Sequence, residues 1–169
     1  MPLKVGVLMG GPSDERDVSL KTGKAVADAC RMNGYITREF QFKFNYNKLL
    51  DKLKCQDIIF NALHGGIGEN GEIQTWLDKN SIPYTGSGAL SSALCMDKAK
   101  SKKVAQTQNI LTPKWELLSS DQDKPKMDCP FIIKPNDQGS TVGLKIVREN
   151  NNIENLLTEA FTHGDLIMV

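Results

Sequence analysis

The stretch KVGVLMGGPSDERDVSL, Lys4 to Leu20, decides the fold class. KVGVLM is a short apolar run ending at Gly10-Gly11, the pattern of a buried parallel strand closed by a tight turn. Ser13 and Asp14 suit a helix N-terminus. Leu20, Gly23, Ala27 and Cys30 then recur at helical spacing, and Asn33-Gly34 closes that helix. Working outward, the sequence predicts a second strand around Tyr35 to Phe42 and a third over Asp57 to Leu63 (DIIFNAL). A glycine-rich turn, HGGIGENG (His64 to Gly71), leads into a helix with Ile73, Trp76 and Leu77. Strand–helix–strand alternation of this kind implies an α/β fold, an open parallel sheet with flanking helices.

The pattern changes towards the C-terminal half. PYTGSG (Pro83 to Gly88) is a turn cluster, and a small-residue helix is expected near Leu90 to Cys95. Met96-Asp97-Lys98 opens a lysine-rich helical stretch to about Asn109, with Pro113 as its stop. Lys114–Leu118, Phe131–Lys134 and Leu144–Val147 are short strand-like runs. Ile153, Leu156, Leu157, Ala160 and Phe161 mark one face of a further helix. The expected organisation is an N-terminal α/β domain over 1–96 and a smaller α+β unit over 97–169. The last run, DLIMV (Asp165 to Val169), stops without a polar tail, and four short strands with one full helix make a meagre core. Such a strand either pairs inside a sheet or leaves an exposed apolar edge, and a chain cut off after Val169 is the expectation.

Composition removes several classes of function. Lys and Arg number 21 against 20 Asp and Glu, a net charge of +1 with no basic block, so nucleic acid is not an expected partner. No apolar run is long enough to span a bilayer, and the first residues lack a signal-peptide pattern. Cys30, Cys55, Cys95 and Cys129 form no CxxC pair, so metal and redox motifs are unsupported. Each cysteine lies in a segment read as core or near-core, and reduced thiols in a cytoplasmic protein follow.

Three segments could carry chemistry. GGPSDER (Gly10 to Arg16) lets a ligand approach a glycine backbone beside the free amides of a helix start. It reads more readily as a plain strand–turn–helix junction, with Glu15 favouring the helix dipole. It is not the GxGxxG dinucleotide fingerprint. The HGGIGENG turn puts His64 at the carboxyl end of the sheet, the edge where open α/β sheets bind ligands, though a lone histidine is often structural. FIIKP (Phe131 to Pro135) followed by GSTVG (Gly139 to Gly143) carries Lys134 off a strand end towards a loop of hydroxyls and amides suited to phosphates. The lysine precedes the glycines, so this is no Walker A loop, and a β-hairpin with an exposed lysine fits as well.

Taken together and in order, GGPSDERDVSL (Gly10–Leu20), ALHGGIGENG (Ala62–Gly71), IPYTGSG (Ile82–Gly88), ALCMDKAKSK (Ala93–Lys102) and IIKPNDQGSTVG (Ile132–Gly143) resemble the D-alanine–D-alanine ligases of the ATP-grasp superfamily. The resemblance covers about the first half of that family's length. It implies a Rossmann-like N-terminal domain followed by an incomplete ATP-grasp subdomain. It also implies ATP-dependent joining of two D-alanines through an acyl phosphate, for peptidoglycan synthesis. By the same motifs Glu15 would hold the ammonium of the first D-alanine, His64 would lie beside that substrate, and Glu69 would support the His64 loop. Lys98 and Lys134 would bind ATP phosphates, while Ser140 would join the network around Glu15 and Ser140 and Thr141 would cover the phosphates. The chain departs from the family at Asn70, Thr75, Gln138 and Thr141, where Asp, Gly, Glu and Ser are usual. The Mg²⁺ ligands, adenine hinge, catalytic arginine and second D-alanine site would lie beyond Val169. Negligible activity of this chain alone is therefore expected. A homodimer through the N-terminal domain is also implied. A non-catalytic ligand- or partner-binding module derived from the ligase is the alternative.

Overall fold

A computed structural model describes residues 1–149 and 152–169. The chain divides into two compact units, Met1–Ala93 and Leu94–Val169.

In the first unit, β1 (Lys4–Gly10) lies between β2 (Ile36–Phe42) and β3 (Ile58–Asn61), with every pairing parallel. Side chains alternate across a strand, so β1 feeds two cores. Val5, Val7 and Met9 face α1 (Arg16–Met32) and pack with Ala27 and Ala62. Leu8 points the other way, into a cluster with Phe40, Phe42, Leu53, Ile59, Ile73 and Leu77. α2 (Leu50–Lys54) and α3 (Glu72–Lys79) bring Leu53, Ile73 and Leu77 to that face. Gly23 lets α1 come close to β1, for a Cβ there would sit 2.7 Å from the Met9 side chain. α4 (Ala89–Met96) follows a parallel bridge between Tyr84 and Ile59.

In the second unit, α5 (Lys98–Thr107) precedes a four-stranded sheet of β4 (Leu117–Leu118), β5 (Phe131–Pro135), β6 (Lys145–Val147) and β7 (Ile167–Met168). Its order is β4-β7-β5-β6, with antiparallel pairings. α6 (Ile153–Phe161) covers one face, and Leu157 and Ala160 pack against Leu118, Phe131, Ile133, Val147 and Ile167.

Several expectations are corrected. The final strand is not an exposed edge: β7 lies between β4 and β5, and Ile167, Met168 and Val169 are buried. Strand order is a non-local property that the end of the sequence does not display. Helix α1 starts later than Ser13-Asp14 suggested, with Glu15 at the N-cap and no side-chain capping bond. Ser13 instead bonds to the loop after β3. Helix α5 ends at Thr107, where Asn109 takes a left-handed conformation (φ 56°) and closes it without help from Pro113. Cys55 and Cys95 are exposed rather than near-core, because each falls on the outward side of a short helical end. A 3-10 turn at Tyr46–Leu49 and α2 are additional elements, too short for helical periodicity to mark.

Candidate functional site

In the first unit, the loops after β1 and β3 are tied together by hydroxyl groups of α1 and its lead-in. Ser19 is fully buried; its Oγ accepts from the Gly10 amide at 2.8 Å and donates to the Ala62 carbonyl at 2.7 Å. The two strand ends therefore share one side chain. Ser13 Oγ donates to the His64 carbonyl at 2.5 Å, and Thr22 Oγ1 lies 3.2 Å from His64 Nε2. The other ring nitrogen, Nδ1, faces Glu69 Oε1 at 3.7 Å. Farther along the loop, the Asn61 and Gln74 side-chain amides both donate to the Gly68 carbonyl, at 3.0 and 2.8 Å. The Arg16 guanidinium secures the first loop by donating to the Gly11 and Phe42 carbonyls.

These bonds bring Glu15 and the His64 loop together. Gly65 has φ 65°, and a Cβ there would come within 2.6 Å of Glu15 Oε2, so only glycine admits this approach. A carboxylate at a helix start against the Gly65 backbone is chemically able to receive an ammonium and to orient what is attached to it. The unusual Asn70 performs a capping task here: its Oδ1 accepts from the Glu72 amide at 3.0 Å at the start of α3.

The second unit gathers cations. Lys98 is the first residue of α5, the end where the helix dipole disfavours a positive charge. Its Nζ donates to the carbonyls of Asn136 (3.2 Å) and Gln138 (2.5 Å). Burial lowers its pKa, and the charge of Lys134 lowers it further, against the opposing pull of Asp137 and Asp97. Lys102 is likewise lowered by burial and then by Lys134. Among the described residues none of these three lysines forms an ion pair with a carboxylate. The loop after β5 turns twice, through Val142 N to Gly139 O and Leu144 N to Thr141 O, with Ser140 and Thr141 both at positive φ (48° and 61°). Two consecutive non-glycine residues in this region are strained, a condition concentrated at ligand-binding loops. Both residues are exposed, and Thr141 Oγ1 donates to the Ser140 carbonyl at 2.6 Å.

β5 and β6 form a hairpin, and Lys134 near the end of β5 is half-buried rather than exposed. Sequence reading passed over two features beside it. Ile132 and Ile146 are register partners and are 42% and 58% exposed, an apolar shelf on the uncovered face of the sheet. The alternation in FIIKP was its signal. Asn136 is a buried polar hub, and nothing local in the sequence marks it.

Among the described residues no group of three or more His, Cys, Asp or Glu side chains is placed to hold a metal ion. No described helix is long and apolar enough to cross a membrane.

Comparison with known proteins finds relatives for both units. Residues 36–87 match the family described as D-ala D-ala ligase N-terminus, and residues 99–169 match D-ala D-ala ligase C-terminus. A D-alanine–D-alanine ligase of Syntrophotalea carbinolica is 40% identical over 98% of this chain and 55% of its own length. That of Aquifex aeolicus is 39% identical over 99% of this chain and 58% of its own. A crystal structure of the Bacillus anthracis ligase superposes with a TM-score of 0.89 at 36% identity, covering 98% of this chain and 56% of that one. A second, of the same enzyme complexed with ATP, gives 0.83 at 33% identity, covering 98% and 57%. The chain spans about half the length of the curated relatives it matches.

Proposed function

The chain belongs to the D-alanine–D-alanine ligase family, and from that premise we propose that it carries the first D-alanine and ATP-phosphate contacts of an ATP-dependent ligase joining two D-alanines. The observation that carries this reading is the lysine group of the second unit. Burial and then the charge of Lys134 lower the pKa values of Lys98 and Lys102, and among the described residues no carboxylate forms an ion pair with any of the three. Such a group is stabilised by a multiply charged anion. The apolar shelf of Ile132 and Ile146 beside Lys134 suits the flat base of a nucleotide.

In this proposal Glu15 receives the ammonium of the first D-alanine and leaves its carboxylate directed at the γ-phosphoryl group. His64 flanks the same amino acid. Lys98 and Lys134 hold phosphate oxygens and offset the charge that develops as the carboxylate takes up the phosphoryl group. Ser140, Thr141 and their amides cover the phosphates. The amine of the second D-alanine then attacks the acyl phosphate, the C–N bond forms and phosphate departs. Mg²⁺ is implied by the family, and the described residues supply no three-ligand set for it. The proposal extends to a product used in peptidoglycan synthesis, a cytoplasmic location and a homodimer through the N-terminal domain, each implied by the family.

Calorimetric titration of the chain with ATP and with adenosine tests the phosphate contacts. ATP binds at least about tenfold tighter than adenosine, and equal affinities sink the assignment. For Glu15, NMR titration with D-alanine detects binding that Glu15→Gln removes; an unchanged titration would overturn the role. Taken alone, these 169 residues release negligible phosphate from ATP and D-alanine, since the relatives named for the reaction are nearly twice as long.

A further inference from the structure

We propose that Asn136 is a positioning residue for the phosphate site, acting through Lys98; this rests on the reading of Lys98 and Lys134 as phosphate ligands. Asn136 is 3% exposed and fully engaged. Its side-chain amide donates to Asp97 Oδ1 at 2.9 Å, and its Oδ1 accepts from the Ala99 amide at 2.9 Å. Its main-chain amide donates to the Leu166 carbonyl at 2.8 Å, and its own carbonyl accepts from the Lys98 amide at 3.1 Å and from Lys98 Nζ at 3.2 Å.

The consequence concerns the start of α5. A helix leaves its first four amides without intrahelical partners, which often makes that end an anion site. Here Asn136 O takes the Lys98 amide, Asn136 Oδ1 takes the Ala99 amide, and Asp97 Oδ1 takes the Lys100 amide. Ser101 N bonds to the Asp97 carbonyl. The Lys98, Ala99 and Lys100 amides are thus consumed, and Lys98 meets a phosphate through its ammonium. Asn136 also follows Lys134 by two residues at the end of β5. One buried side chain therefore fixes the α-carbon of one lysine relative to the strand that carries the other.

Exchanging donor for acceptor isolates the link. Asn136→Asp keeps the size and the bond from Ala99 N, but sets an acceptor against the Asp97 carboxylate. In the double variant D97N/N136D the donor and acceptor trade places and the link re-forms, at the cost of the Lys100 amide bond that Asp97 Oδ1 also accepts. We expect N136D to weaken ATP binding about tenfold while adenosine affinity is unchanged, and the double variant to recover most of the loss. A purely structural role would move both ligands together, and would show in the melting temperature first. Should N136D fail to fold, Asn136→Ala keeps every main-chain contact and gives the same ATP-selective loss. Equal losses for ATP and adenosine, or no recovery in the double variant, overturn the inference. Lys98→Ala separates the two levels. If it weakens ATP binding while N136D and N136A do not, the inference alone fails; if it does not, the phosphate reading fails and this inference with it.

Discussion

In the first unit the candidate residues hang on neutral hydroxyls. Ser19 joins two strand ends, Ser13 holds the backbone of His64, and Thr22 meets its ring. In the second unit the corresponding work falls to charge and amide groups: Asp97 and Asn136 lock the start of α5, and the Lys98 ammonium bonds to the Gln138 carbonyl ahead of a strained loop. The sheets differ in the same sense. The first is packed on both faces, by the clusters around Leu8 and around Val7, whereas the second has one covered face and one that leaves Ile132 and Ile146 open. Neutral buried bonds are insensitive to pH and salt and costly to leave half-made, whereas charged ones respond to both. The His64 loop of the first unit hangs chiefly on neutral bonds, and the start of α5 in the second hangs on a carboxylate.

The largest test of that contrast is in the cores. Leu157 is buried in the single cluster of the second unit, so Leu157→Ala costs about 2–5 kcal/mol and removes hydrogen-exchange protection from β5 and β7. Protection retained in both strands would mean that α6 is not what holds that sheet. Next is Ser19→Ala, which strands the Gly10 amide and the Ala62 carbonyl without water to replace the hydroxyl. A loss of about 1–3 kcal/mol is expected, the same at pH 5 and pH 8, measured by urea unfolding. A loss that varied with pH would contradict the neutral character of this staple.

Asp97 gives the opposite signature. Burial pushes its carboxyl up, but the Lys100 amide, the Asn136 side chain and the Lys100 ammonium outweigh that and hold it at about 2, below the usual 3.8. A depressed folded-state value contributes stability that is complete above the ordinary carboxylate range. That contribution fades as the pH falls from about 4 towards 2. Asp97→Asn therefore lowers stability at pH 7 by on the order of 1–2 kcal/mol and costs progressively less towards pH 2, which flattens the acid limb of the stability curve. An unaltered acid limb would show that Asp97 titrates normally.

Much of this was legible in the sequence, for identifiable reasons. β1, β3 and the turn before α3 announce themselves because buried parallel strands are apolar runs and their turns need glycine. Lys134 was legible as a lysine ending an apolar strand. Properties set by distant partners were not legible. Ser13 looks like a cap and bonds instead to a carbonyl 51 residues away. The place of β7 between β4 and β5 depends on pairings with two distant strands. Asn136 sits in an ordinary polar turn sequence, and only the arrival of α5 turns it into a hub. The family motifs located the loops and contain Ser13, Ser19, Asp97 and Asn136, but the partners of these residues are set by the fold, and Thr22 and Gln74 lie outside every motif.

The smallest expected effect separates the two holders of His64. Glu69 Oε1 is 3.7 Å from Nδ1, and the two side chains are 41% and 32% exposed, so water competes for both. A pair of this kind contributes at most about 0.5 kcal/mol. Thr22 Oγ1 is nearer, at 3.2 Å, and is anchored on α1, a seventeen-residue helix, rather than on a turn. Glu69→Gln should leave the unfolding midpoint almost where it is, and Thr22→Val should lower stability by about 1 kcal/mol. If Glu69→Gln proved the more damaging, the histidine would be held by charge after all. The division between a neutral first unit and a charged second one would then fail at its most exposed point.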